Sequence, residues 1–339
     1  LTHVDEAWVI SPSEKAEFNP MDLCYNHPKI RFIKVPSFQI NTIKGLFKSL
    51  LIVPYILVKL LWAMSKVDHI HLRCPGNMGL LGCVVQMLFP WKKKTAKYAG
   101  NWDWQSKQPG TYRIQQRLLR NTVLTHNMQA LVYGEWPDKT KNILPFFTAT
   151  YHENEKKDIK KRIFQGPLRL LFVGALSPGK RPLLTVKIAH SLIKNGHDVL
   201  LEFCGDGAER EVLEAYISEH KLEEQVKVLG NVSADVVKEK LMNSHFLVFL
   251  SKSEGWPKVV AEAMFWGCVP VTTRVSCLAY MLGEGKRGSL LEPTQESGVE
   301  TIEKYLSDNK LYHEHAQNAL LWSRDYTLEK FEEEIKRLL

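Results

Sequence analysis

Two glutamates eight positions apart, Glu254 and Glu262, are the side chains of this sequence best suited to hold a polyhydroxylated ligand. They flank a small polar turn, Glu254-Gly255-Trp256-Pro257, that follows a buried strand pattern at 246–250 and opens a helix. Pro257 suits the first helical turn, where its missing N–H is not needed, and Lys258, Val259 and Val260 then present backbone N–H groups toward a cleft. Glu262 falls in the small apolar stretch Val-Val-Ala-Glu-Ala-Met. A carboxylate there is costly to bury unless it accepts hydrogen bonds, and sugar or ribose hydroxyls are suitable donors. The plainer alternative makes Glu254 a cap and Glu262 a solvated charge. A second candidate lies at Gly174, where an apolar strand turns through Ser177-Pro-Gly-Lys180-Arg181 into an apolar helix. Helix starts attract anions, and Lys180 and Arg181 strengthen the effect. The spacing fits neither a dinucleotide fingerprint nor a P-loop, so an ordinary strand-to-helix turn stays open. Gly205-Asp206-Gly207 closes another strand, where glycine allows a ligand close to the backbone, although the same tripeptide is common in plain turns.

The long pattern S-E-G-x-P-x-V-x-x-E-A-M-x-x-G-x-x-P-V at 253–271 resembles the signature of GT-B retaining glycosyltransferases of family 4. The likeness extends over the second half, through V-G-x-L-S-P-x-K at 173–180, the Gly-Asp-Gly tripeptide, and Arg287-Gly288 ahead of an apolar strand. It implies an α/β, GT-B fold: two Rossmann-like, doubly wound domains with a cleft between them and a last helix returning to the first. By the same resemblance, the C-terminal domain binds a nucleotide sugar and the N-terminal domain the acceptor. Glu254, Gly255, Trp256, Pro257, Lys258 and Val259 would face the donor, and Glu262 would hold the ribose. Lys180 would neutralise the departing diphosphate, with Gly174, Arg181, Gly205, Asp206 and Gly207 lining the donor site. The resemblance implies no metal and no cofactor, a UDP-sugar in preference to a GDP-sugar, and same-face attack with the donor phosphate taking the acceptor proton.

The sequence departs from the family in three places. Ala175 stands where many relatives have Arg. The stretch 98–103 lacks the His that relatives often place near the reacting sugar, leaving His71, Arg73 and Asn101 as acceptor-side candidates; a His on a strand is more often a satisfied core residue. No opening strand with a Gly-rich loop is legible, so the reading starts the chain at the second strand.

These groups need rigid elements behind them. Apolar runs at 7–10, 30–35, 69–72, 95–99 and 122–125, separated by helix-length segments, predict a parallel sheet in the first half. Runs at 168–173, 199–203, 226–229, 246–250 and 269–272 predict a second sheet, covered on both faces. The charged stretch 153–162, followed by Gly166-Pro167, is the predicted linker, dividing an N-terminal domain at 1–165 from a C-terminal domain at 166–339. An amphipathic helix is expected over 320–339.

The chain has 339 residues, 45% hydrophobic and 24% charged, which suits roughly two folded domains and excludes disorder throughout and collagen. Its six cysteines, at 24, 74, 83, 204, 268 and 277, form no C-x-x-C pair and read as reduced thiols of a cytoplasmic protein. The formal charge of +8 divides into +12 before residue 166 and −4 after it, so only the first half suits an anionic partner. Within that half the segment 43–64 is an apolar helix with Lys44, Lys48, Lys59 and Lys66 in one sector, and Phe89-Pro-Trp-Lys-Lys-Lys-Thr-Ala-Lys97 adds a cluster of aromatics with four cations. Pro54 and the charges argue against a membrane span, leaving core packing or a peripheral seat on an anionic membrane. Three function classes follow: a transferase acting on a glycan or lipid-linked glycan, as in capsular or O-antigen assembly; a non-catalytic nucleotide-sugar binder; and a nucleic-acid module. The last lacks a recognition element, and no nucleic-acid partner is expected.

Overall fold

The computed structural model describes residues 3–13, 25–38, 43–159 and 161–339. The first half contains β1 (Ala7–Pro12), β2 (Ile30–Val35), α1 (Ile43–Lys66), β3 (His69–Cys74), α2 (Asn77–Val85), β4 (Lys93–Tyr98), α3 (Gly110–Arg120), β5 (Met128–Tyr133) and β6 (Ile143–Phe146). The strands β3-β4-β5-β6 form a parallel sheet in chain order, while β1 and β2 pair with each other in a parallel ribbon. One face of α1 supplies Ile56, Leu60 and Met64 to a core completed by Ile70, Leu72, Ala96, Ala130, Val132 and Ile143. The run at 122–125 is not a strand: Asn121 Oδ1 accepts the backbone N–H groups of Val123 and Leu124, both at 3.0 Å, and folds it into a turn. Strand β5 begins three residues later.

The second half contains β7 (Leu168–Val173), α4 (Pro182–Lys194), β8 (Val199–Cys204), α5 (Arg210–Glu219), β9 (Val226–Gly230), α6 (Ala234–Asn243), β10 (Phe246–Phe249), α7 (Lys258–Phe265), β11 (Val269–Thr273), α8 (Leu278–Met281), β12 (Ser289–Leu291), α9 (Gln295–Ser307), α10 (Asn309–Ser323) and α11 (Leu328–Leu338). All five strand runs expected here form. Their order, β12-β11-β10-β7-β8-β9, is that of a doubly wound sheet whose direction of winding reverses between β7 and β10. Alternation along β10 explains the near-continuous apolar sequence: Phe246 and Val248 face α4 and α9, while Leu247 and Phe249 face α7. The helix expected over 320–339 is interrupted between α10 and α11, where Thr327 caps α11 by accepting the Lys330 N–H at 3.4 Å.

A third core joins the halves. Tyr133 and Phe147 from the first pack with Phe249, Trp256, Val260, Met264 and Cys277 from the second. Helix α11 returns to the first sheet, where the Phe331 ring meets Phe146 at 5.5 Å and Lys93 donates to the Leu339 carbonyl at 3.0 Å. The charged stretch 153–162 is not a free tether. Arg162 reaches the carbonyls of Leu241, Met242, Trp266 and Gly267 at the ends of α6 and α7, and Glu155 pairs with Lys238 at 2.5 Å.

Candidate active site at the sheet switch point

Strands β7 and β10 are registered only at Leu170–Phe246 and Leu171–Leu247. Their carboxyl ends lie at the switch point, where open α/β sheets bind ligands. Two loops lead from them, 174–181 and 250–257, and they are stitched together: Lys252 N–H donates to Gly179 O at 2.8 Å, and Arg181 Nη1 to Leu250 O at 2.8 Å. Across this seam Lys180 Nζ donates to Glu254 Oε1, over the Phe249 ring at 4.7 Å. Ser251 Oγ donates to the same carboxylate oxygen, and Thr273 Oγ1 fixes Ser251 through its carbonyl at 2.6 Å. A Cβ on Gly174 would meet only the Lys180 stem, at 4.0 Å, so the strand end opens toward the ammonium. An ammonium held beside an open strand end suits a transferred or departing anion.

The structure sets Glu262 one turn inside α7. Its Oε1 accepts the Thr150 hydroxyl at 2.8 Å, from the segment following β6, so the carboxylate faces the first half. Burial raises its pKa, opposed by the Thr150 bond and by Lys258. Asn101 also arrives from the first half, its Nδ2 3.4 Å from Ser253 Oγ. Gly255 is required by that meeting, since a Cβ there would lie 2.3 Å from the Ala99 carbonyl oxygen.

Other candidates take structural positions. Arg181 braces the carbonyl of Leu250. Trp256 is buried in the joint core, its ring 5.7 Å from Tyr133 and 6.3 Å from Trp322, and its Nε1 has no hydrogen-bond partner among the described residues; it wedges the halves. Pro257 caps α7 and the helix starts at Lys258, one residue later than the sequence suggests. Val259, half-buried, packs at the edge of the joint core. The Gly205 and Gly207 positions serve a backbone crossing: added Cβ atoms would strike Gly174 O at 2.0 Å and Leu176 O at 2.5 Å. Asp206 is occupied by Gly207 N–H and Arg210, at 2.7 and 2.8 Å.

His71 stands inside β3 rather than at its end, with Nδ1 2.8 Å from the Thr95 hydroxyl that also meets His69. Desolvation, then His69, Lys97 and Arg73, lower its pKa to about 4, which keeps the imidazole neutral. Arg73 lies further along β3, in register with Lys97 of β4. A cavity of about 480 Å³ adjoins the turn without including Lys180, Glu254 or Glu262; Trp136, Ser276, Tyr280 and Arg287 are among its lining. Thr150 and Ser251 escaped the sequence reading, because nothing in the local pattern pairs residues so distant along the chain; Lys97 was legible only as one cation of a basic, aromatic cluster.

The family model for glycosyl transferases group 1 matches residues 153–322. An uncharacterized glycosyltransferase of Methanocaldococcus jannaschii is 29% identical over 161 residues, which cover 47% of this chain and 44% of the relative. The N-acetylgalactosamine-N,N'-diacetylbacillosaminyl-diphospho-undecaprenol 4-alpha-N-acetylgalactosaminyltransferase of Campylobacter jejuni is 30% identical over 144 residues, 42% of this chain and 38% of that protein. The chain thus spans less than half the length of these curated relatives. Among solved structures, HepE of Anabaena in complex with UDP aligns over 91% of this chain and 85% of its own, with a TM-score of 0.67 and 16% identity, a likeness of fold.

Proposed function

The chain belongs to the glycosyl transferases group 1 family, and on that footing we propose a retaining, metal-independent enzyme that moves a sugar from a UDP-sugar to a glycan or lipid-linked glycan acceptor. The observation that carries this reading is the Lys180–Glu254 pair at the carboxyl ends of β7 and β10. In the reaction the acceptor hydroxyl oxygen bonds to the anomeric carbon as the bond from that carbon to the donor phosphate oxygen breaks. The electron pair leaves with the diphosphate, and the hydroxyl proton ends on a phosphate oxygen. Lys180 neutralises the charge that grows on the leaving group, Glu254 passes from Lys180 to the hydroxyls of the donor sugar, and Glu262 holds the ribose. The Campylobacter relative acts, by its name, on a diphospho-undecaprenol-linked acceptor, which supports placing this chain in lipid-linked assembly of capsular or O-antigen type. The proposed location is the cytoplasmic face of an anionic membrane. Ala175, in place of the usual Arg, favours the second reading, a nucleotide-sugar binder without catalysis.

A thermal-shift series with UDP, GDP, ADP and their sugars, followed by a donor-consumption assay, separates the two. UDP and its sugars are expected to raise the midpoint by mass action. Lys180→Ala is expected to cut donor consumption on the order of a hundredfold while leaving the ligand-free midpoint nearly unchanged. Binding without consumption of donor supports the second reading, and no response to any nucleotide overturns both.

A further inference from the structure

Lys180, Lys238 and Lys240 stand beside carboxylates. Three cations where the halves meet do not: among the described residues, none of the ion pairs includes Arg73, Lys97 or Lys258. Arg73 and Lys97 are cross-strand partners near the carboxyl ends of β3 and β4, with side chains on the same face. Lys97 is held in place by aromatic rings rather than by an acid. Its Nζ stands 4.9 Å from the Phe331 ring, 5.6 Å from Tyr133 and 5.8 Å from Phe146. Tyr133 also packs on Trp256 at 5.7 Å, and Lys258 follows Trp256 by two positions at the start of α7. Burial first, then Arg73 and Lys258, lower the Lys97 pKa to about 8, and no acid offsets them. Arg73 and Lys97, side by side across the strands, repel each other unless an anion joins them, and Lys258, whose charge also acts on Glu262, adds to the positive field on Lys97.

We propose that Arg73, Lys97 and Lys258 bind a phosphate or diphosphate group carried by the acceptor, so that the acceptor is a phosphorylated molecule. The inference rests on the transferase reading above, because it divides the two substrates between the halves. A diphosphate could come from either substrate. The donor already has a cation in Lys180, and two of the three residues here belong to the first half, which favours the acceptor.

Calorimetric titration of inorganic pyrophosphate into the full chain, saturated with whichever of UDP or GDP binds, tests this directly. The saturated protein is expected to bind pyrophosphate, and Arg73→Gln and Lys97→Met are each expected to weaken that binding about tenfold or more. Lys97→Arg should retain it, and nucleotide affinity should be unchanged in all three variants. Thermal midpoints check that each variant folds. Pyrophosphate binding that survives both neutral substitutions overturns the proposal, as does its absence from the nucleotide-saturated wild type. A parallel loss of nucleotide affinity reassigns the cluster to the donor and overturns it equally. If neither nucleotide binds, the transferase reading fails, while pyrophosphate titration of the free protein still reports on the three cations.

Discussion

Glu262 is held where a charge is poorly solvated, and the cost is visible in the direction of its pKa. With the native value above the ordinary carboxyl value, the native state binds the extra proton. Wild-type stability therefore falls as pH rises from the ordinary value through the raised one, then levels off. Glu262→Gln should remove that loss. Its midpoint is expected to exceed wild type at pH 7, with the gap closing as pH falls through the native pKa into the acidic range. Nucleotide affinity should drop by about 1–3 kcal/mol as a charged hydrogen bond to the ribose is lost. Midpoints across a pH series and calorimetry with UDP measure the two effects; equal midpoints at pH 7 would mean that Thr150 and Lys258 fully offset burial. Residue type and spacing made Glu254, Glu262 and Lys180 legible in the sequence, because each breaks an otherwise apolar or turn pattern. Their partners were not legible: Thr150 lies 112 positions from Glu262, and only folding brings the two together. The glycines show the same limit. Gly205 and Gly207 were readable as positions open to close approach, but the backbone crossings that bare them, and that bare Gly255, were not.

Among the elements, the second sheet was readable strand by strand because burial on both faces leaves a continuous apolar run. The first half misled at 122–125, where β-branched residues are drawn into a turn by the Asn121 side chain. The cluster Lys92-Lys93-Lys94 reads as a membrane patch in sequence, three adjacent cations beside Trp91, and the structure engages two of the three in hydrogen bonds to the backbone. Lys92 Nζ instead caps α1, donating to Met64 O at 2.8 Å, Ser65 O at 3.0 Å and Val67 O. Lys94 is buried and donates to Phe89 O at 2.9 Å, and burial lowers its pKa to about 8. Only Lys93 keeps an exposed place, tied to the C-terminal residue. Carbonyls at a helix end carry partial negative charge that a cation relieves. Lys92→Gln is therefore expected to destabilise the protein by about 1–2 kcal/mol, read from urea denaturation. A variant as stable as wild type would show that solvent satisfies the α1 terminus equally well.

At the scale of the whole molecule, α1 presents two apolar faces, and the fold uses one. Ile56, Leu60 and Met64 enter the core and Trp62 stacks on Trp8 of β1 at 5.2 Å, while Leu51, Tyr55 and Val58 recur at helical spacing on the outward side, with Leu51 81% and Val58 64% exposed. The stretch Ser49–Lys66 is long and apolar enough to cross a membrane, with a mean hydropathy of 1.5 and 28% of it buried. A spanning helix would have to give up that buried face, whereas a helix lying in the interface keeps it. Lys59 stands over the Tyr55 ring at 5.5 Å and Lys66 is exposed, both suited to headgroups; the side chains of Lys44 and Lys48 lie outside the described residues. The structure moves the test of membrane binding from the lysine cluster, where substitution uncaps α1, to this outward face. Leu51→Gln with Val58→Gln removes apolar area worth roughly 25 cal/mol per Å² and leaves the core untouched. Wild type is expected to float with vesicles containing anionic lipid and the double variant to remain behind, with midpoint and nucleotide response unchanged. Equal flotation of the two proteins would take α1 out of the membrane contact. Flotation of wild type that is indifferent to anionic lipid would leave the +12 charge of the first half without a role at the membrane.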